Sequence, residues 1–147
     1  MLKHLTVQYN EKLITADEAA KLVKSGDTVF MGEFVMLPHA LDAALAKRAK
    51  ELENVNLRGV TLTGKLKTIE ADPERQHFIY NDWHFGSMAR KLHQQNLASY
   101  IPYTYHQGPR VIRKYLDHDV AFIQLGPMDT NGFFNLGPAN SMTFAHC

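Results

Sequence analysis

The chain has 147 residues, 45% of them hydrophobic and 21% charged, with a formal net charge of +1; this is the profile of one soluble globular domain with its own core. Acids and bases are interspersed, which argues against a nucleic-acid or membrane-surface partner. Cys147, the single cysteine, is the last residue and cannot form an internal disulfide, so a reducing, cytoplasmic setting is expected. No apolar run approaches the roughly 18 residues of a membrane span, and residues 1–5 turn polar too early for a secretory signal.

Thr15-Ala16-Asp17-Glu18 is a capping box that starts a helix with Ala19, Leu22 and Val23 inward, stopped at Ser25-Gly26-Asp27. A strand from Thr28 follows. Gly32 and residues 33–37 form a loop, and Pro38 opens a helix with Leu41, Ala44 and Leu45 inward and Asp42, Lys47, Arg48 and Lys50 outward. Residues 55–62 read as the next strand, giving a unit of βαβ length. Residues 69–76, with Asp72-Pro73 and few large apolar side chains, are predicted as a surface loop. A strand over 77–80, a helix over 86–95, a strand over 97–100, a helix opened by Pro109 and a strand over 120–125 complete the alternation.

Such alternation predicts an α/β fold with a mainly parallel sheet covered by helices on both faces. In folds of this kind ligands meet the loops at the carboxyl ends of strands, here 32–37, 63–66, 81–85, 103–106 and 127–132. The Gly32 loop runs into a helix N-terminus, where free amides suit an anion. It lacks both the Gly-x-Gly-x-x-Gly and the Gly-Lys-Ser/Thr spacings, so a plain strand-to-helix corner fits it as well as a ligand loop. Glu33 is its one carboxylate, a candidate nucleophile or base with no visible partner, and the alternative is a solvated loop residue. His84 lies between Trp83 and Phe85 at a strand end, as a ligand contact or a hydrogen-bonded rim residue. Tyr103 and Tyr105 read as a half-buried wall. The histidines show no ligand spacing, and no metal site is expected.

Residues 126–138 hold the densest backbone punctuation, with Asn131-Gly132 as a tight-turn dipeptide between Gly126-Pro127 and Gly137-Pro138. Within them, Pro127-Met128-Asp129-Thr130-Asn131-Gly132-Phe133-Phe134-Asn135 closely resembles the Pro-Met-Asp-x-x-Gly-Tyr-Phe-Asn segment of the acetyl-CoA hydrolase/transferase family, which includes 4-hydroxybutyrate and butyryl-CoA:acetate CoA-transferases. Ser25-Gly26-Asp27-Thr28-Val29 with Gly32 and Pro38, the segment from Trp83 to Leu92, and Tyr100-Ile101-Pro102 with Gly108-Pro109-Arg110 are similar to three further family stretches.

The resemblance implies a CoA-transferase-like domain from the N-terminal part of a longer protein, with acyl-CoA and a small carboxylate as substrates, no bound cofactor, and a homo-oligomeric state. It implies that the nucleophilic glutamate and the oxyanion-hole glycine lie in a second α/β domain, so that no catalytic residue is in this chain and the segment alone is inactive. It implies a pocket wall of Gly32, Glu33, Phe34, Pro38, Trp83 and His84. Pro127, Asp129, Asn131 and Gly132 then form a structural corner. Asn140-Ser141 reads as a helix cap whose apolar segment stops at Cys147, as expected of a fragment. The rival readings are a non-catalytic packing module and a sugar-phosphate or nucleotide-binding domain.

Overall fold

The computed structural model describes residues 3–147. Five strands, β1 (Thr28–Glu33), β2 (Val55–Val60), β3 (Phe78–Trp83), β4 (Ala98–Tyr100) and β5 (Val120–Ala121), form one sheet in the order β4-β3-β2-β1-β5. All neighbouring pairs are parallel. The strands are linked by helices, as parallel pairing requires. These are α3 (His39–Ala46), α4 (Lys67–Ala71), α5 (Ser87–Gln94) and α6 (Gly108–Tyr115), with α1 (Lys3–Lys12) and α2 (Ala16–Ala20) ahead of β1.

Strand alternation distributes the core between two faces. Val29, Met31, Leu57, Phe78 and Tyr80 point to the first, where Ala20, Leu45, Ile69 and Ala89 of α2, α3, α4 and α5 cover them. Phe30, Val60 and Trp83 point to the second, covered by Ile112 of α6 and by Met142, which precedes a 3-10 turn at Thr143–Ala145. Both faces therefore carry helices, as the alternating pattern predicts.

Several local expectations need correction. The Thr15 capping box is formed as read and Val23 is buried as expected, but α2 ends at Ala20, which leaves Leu22, expected inward, 62% exposed. Asp42, predicted to face solvent, is fully buried; its carboxylate accepts from the amides of Lys67 and Thr68 at 2.6 and 3.2 Å and from the Thr68 hydroxyl at 2.8 Å. Those bonds anchor the start of α4, which buries Thr68 and Ile69, so residues 69–71 of the segment predicted as a surface loop are helical. β5 is shorter than predicted: the Phe122 amide still bonds the Phe30 carbonyl at 2.8 Å, after which the chain leaves the sheet.

The chain lays β1 to β4 outward in one direction and then places β5 on the free side of β1. The switch of direction falls at the carboxyl ends of β1 and β5, the position at which open parallel sheets bind ligands.

Candidate functional site

Each of the three central strands ends in a non-glycine residue in the left-handed region: Phe34 after β1 (φ 48°), Thr61 after β2 (φ 51°) and His84 after β3 (φ 44°). For β-branched Thr61 this is a steric outlier, of a kind that costs on the order of 1–3 kcal/mol and persists only where neighbours over-determine it. The neighbours here are explicit. The Thr61 amide donates to Asp82 Oδ1 at 2.6 Å, and its hydroxyl reaches the carbonyls of Trp83 and His84 at 3.1 and 2.9 Å. The Phe34 amide bonds the Val60 carbonyl, and the Thr63 amide bonds that of Phe34. Gly32 has φ 89°, and a Cβ there would run into the Met36 carbonyl oxygen, so the approach of β1 to its own loop requires glycine. Three strand ends are thus tied into one ledge.

On the second face of that ledge sits a polar cluster in apolar surroundings. Glu33, expected in the loop after β1, is instead the last residue of that strand and is 0% exposed. Its Oε1 accepts from the Met142 amide and the Thr143 hydroxyl, both at 2.8 Å, while its buried Oε2 has no partner among the described residues. The Tyr103 hydroxyl is likewise buried without a partner. Burial, and next the charge of Glu33, push the Tyr103 phenol well above its ordinary value, which keeps it a neutral group. Tyr103 also meets Trp83 edge to face, with ring centroids 3.6 Å apart. Phe34, Ile101, Tyr103, Trp83 and Met142 belong to one hydrophobic cluster on this face.

Asp82 lies on the opposite face of β3. Burial lifts its carboxyl to about 6, against the pull of hydrogen bonds from the Thr61 amide and the Tyr80 hydroxyl. Farther from the ledge, His146 Nδ1 lies 2.6 Å from His118 Nε2 and its ring stacks on Phe30. Burial, with the charges of His118 and Arg58, depresses His146 to about 3.

Gly32, Glu33, Phe34 and Trp83 therefore come together, and buried Pro38 caps α3 beside Gly32. His84 stands apart: its ring is exposed and tilts against Tyr105 at 5.6 Å, and Phe85 packs instead on His93 and Tyr100. Thr61, Asp82, Met142 and Thr143 escaped the sequence reading; a carboxylate within the apolar-alternating stretch 78–83 was the available signal for Asp82. A groove of about 540 Å³ between α4 and α5, lined in part by Leu66, Ile69, Met88 and Lys91, opens on the first face and meets the ledge at Thr63. Among the described residues no three His, Cys, Asp or Glu side chains gather as a metal ligand set, and no helix is long and apolar enough to cross a membrane.

In residues 126–138, Asp129 organises the turn: its Oδ1 accepts from the amides of Asn131 and Phe133 at 2.8 and 2.9 Å, and Gly132 (φ 89°) donates back to the Asp129 carbonyl. Pro127, Asp129 and Asn131 are exposed. The segment is packed between α1, through Tyr9 on Phe134, and the β1 loop, where Met36 abuts Gly137.

Residues 2–146 match the N-terminal domain of the acetyl-CoA hydrolase/transferase family. The chain belongs to that family. Among its family relatives is the butyryl-CoA:acetate CoA-transferase of Anaerostipes caccae, 47% identical over 135 residues, which are 91% of this chain and 30% of that protein. A probable butyrate:acetyl-CoA coenzyme A-transferase of Syntrophomonas wolfei is 44% identical over 93% of this chain and 31% of its own length. The crystal structure of RipA from Yersinia pestis shares the fold with a TM-score of 0.80 at 27% identity, over 90% of this chain and 33% of RipA. The chain thus spans about a third of the length of these relatives, in the position of the family's N-terminal domain.

Proposed function

We propose that this chain is the N-terminal part of a cytoplasmic CoA-transferase that moves CoA between a short-chain acyl-CoA, of the acetate, butyrate or 4-hydroxybutyrate class, and a small carboxylate. The observation that carries the reading is the 47% identity to a butyryl-CoA:acetate CoA-transferase, extending over almost the whole chain. The ledge of Gly32, Glu33, Phe34, Pro38 and Trp83, with His84 at its rim, serves as one wall of the acyl pocket. A second α/β domain closes on it, and the protein works as a homo-oligomer. CoA enters as substrate, and the chemistry needs no bound cofactor.

The reaction is a ping-pong acyl transfer. A glutamate carboxylate outside this chain attacks the thioester carbonyl and expels CoA thiolate, forming a mixed anhydride. The thiolate then attacks the glutamyl carbonyl and releases the first carboxylate, leaving a glutamyl-CoA thioester that the second carboxylate reopens in the same way. Backbone amides stabilise each oxyanion. Glu33 is a poor candidate for that glutamate, because one oxygen already holds Met142 and Thr143 and the residue has no exposure.

Borohydride trapping tests both points. The protein, extended to the length of its relatives and given butyryl-CoA, is expected to yield a trapped enzyme-CoA thioester, and Glu33→Gln is expected to retain it. Loss of the thioester in that variant, with the fold intact, would make Glu33 the nucleophile.

A further inference from the structure

We infer that the groove between α4 and α5 binds a linear aliphatic monocarboxylate of about eight carbons, its chain along the groove floor and its head group at Lys91. The site stands on its own residues and does not depend on the proposed acyl-pocket wall. α4 stops after five residues because Pro73 blocks its continuation, and the Asp72 carboxylate takes the amides of Gln76, His77 and Phe78 at 2.9, 2.7 and 2.8 Å, turning the chain into β3. α5 runs for eight residues. The shorter helix leaves part of the longer one uncovered, and the gap is the groove of about 540 Å³, a volume within the range of small-molecule sites.

The floor is apolar. Leu66 and Ile69 are buried, and Met88, Leu92 and Leu97 are half-buried and pack on the first-face core. From Ser87 to Gln95 the α5 wall is about 12 Å long, room for an extended chain of about eight carbons. Charge sets the head group. On the α4 wall, Glu70 is bonded to Lys67 at 2.7 Å and feels Lys65 as a second positive charge, so it is already offset. Lys91 on the α5 wall is exposed and joins none of the ion pairs among the described residues. The residues three and four positions away from it, Ser87, Met88, Gln94 and Gln95, include no acid. One uncompensated cation beside an apolar trough matches a single negative charge on an aliphatic chain, and Glu70 across the groove disfavours a dianion such as a phosphate monoester.

Isothermal titration calorimetry on the protein extended to its relatives' length tests the site with octanoate, butyrate and octanol. Octanoate is expected to bind at one site with a Kd on the order of 0.1–1 mM. Butyrate, four methylenes shorter, is expected to bind about 10- to 100-fold more weakly. Octanol, which keeps the chain and lacks the charge, is expected to bind about two- to fivefold more weakly. Lys91→Glu is expected to remove the advantage of octanoate over octanol while leaving octanol within about twofold. A second measurement needs no variant: with the methionine methyls isotope-labelled, the Met88 resonance is expected to shift on octanoate titration, and that of Met142, in the cluster on the opposite face, to stay. No saturable octanoate binding would overturn the site. So would butyrate binding as tightly as octanoate, a wild type that does not distinguish octanoate from octanol, a charge preference that survives Lys91→Glu, or an unmoved Met88 resonance. Binding is read without turnover, so a protein that binds octanoate in this way but transfers no CoA supports the site and overturns the proposed function alone.

Discussion

Asp82 is a carboxylate inside a strand face whose neighbours Phe78 and Tyr80 are apolar or aromatic, and two hydrogen bonds do not fully replace the water it has lost. Its folded value of about 6 lies above the ordinary carboxylate range, near 4, of the unfolded chain. Between those two values the folded protein holds a proton that the unfolded chain has released. Asp82 therefore contributes stability that is fully present below about pH 4 and is lost as the pH rises through 6. The His118–His146 pair works the other way in an overlapping window. Both are depressed by burial first, so the unfolded chain binds protons that the folded one does not, and their contribution is lost as the pH falls below about 6.5. The wild-type profile mixes the two, and comparison with Asp82→Asn separates them. The stability difference between wild type and Asp82→Asn is expected to shift by on the order of 2–3 kcal/mol against the wild type between pH 4 and pH 7. Urea unfolding at half-unit pH steps measures it, and parallel profiles would show that Asp82 does not titrate in this window.

At the level of elements, α4 depends on a contact across the chain. Its N-cap residue Leu66 offers no side-chain oxygen, and the Asp42 carboxylate takes the first amides instead. Asp42→Ala leaves those buried donors without an acceptor and is expected to cost about 2–4 kcal/mol, with Asp42→Asn costing about half as much. Denaturant unfolding measures both, and a loss below about 0.5 kcal/mol for the alanine variant would mean that water replaces the carboxylate. The same geometry explains what could be read from the amino-acid sequence. The Thr15 capping box and the Pro109 helix start are local patterns that form where they were expected, whereas β3, expected over 77–80, runs on to Trp83 through residues read as its loop. The start of α4 is set by a residue 25 positions earlier, and the burial of Glu33 by partners 109 and 110 positions later, so neither shows in any short window. α1 gave no strong periodic signal. Its placement comes from Leu5 on Gly132 and Tyr9 on Phe134, contacts made only once the chain has folded back. The ledge was legible at Gly32 and Trp83, where punctuation and strand ends coincide, and hidden at Thr61 and Thr143, whose roles are purely tertiary.

For the whole molecule, the question is whether this domain supplies a wall or the chemistry. The strained ends of β1, β2 and β3 are held by hydrogen bonds internal to residues 3–147. Under the proposed division of labour the nucleophile lies elsewhere, and the ledge should then work with a foreign partner of close ancestry. A chimera of residues 1–147 followed by the remainder of the Anaerostipes caccae relative tests this, because the aligned region is 47% identical and 30% of that protein. The chimera is expected to transfer CoA between butyryl-CoA and acetate within roughly a factor of 100 of the relative, a loss of up to about 2.7 kcal/mol of transition-state stabilisation that imperfect domain packing can account for. Residues 1–147 alone are expected to give no turnover and no trappable thioester, because under the proposed division of labour the attacking glutamate lies outside them. Turnover by the isolated chain would refute the division of labour, and a well-folded chimera with no thioester would show that the wall is not interchangeable within the family. A chimera that forms the thioester from butyryl-CoA but fails to pass CoA to acetate would localise the fault to the acceptor step, and hence to the part of the ledge nearest the incoming carboxylate.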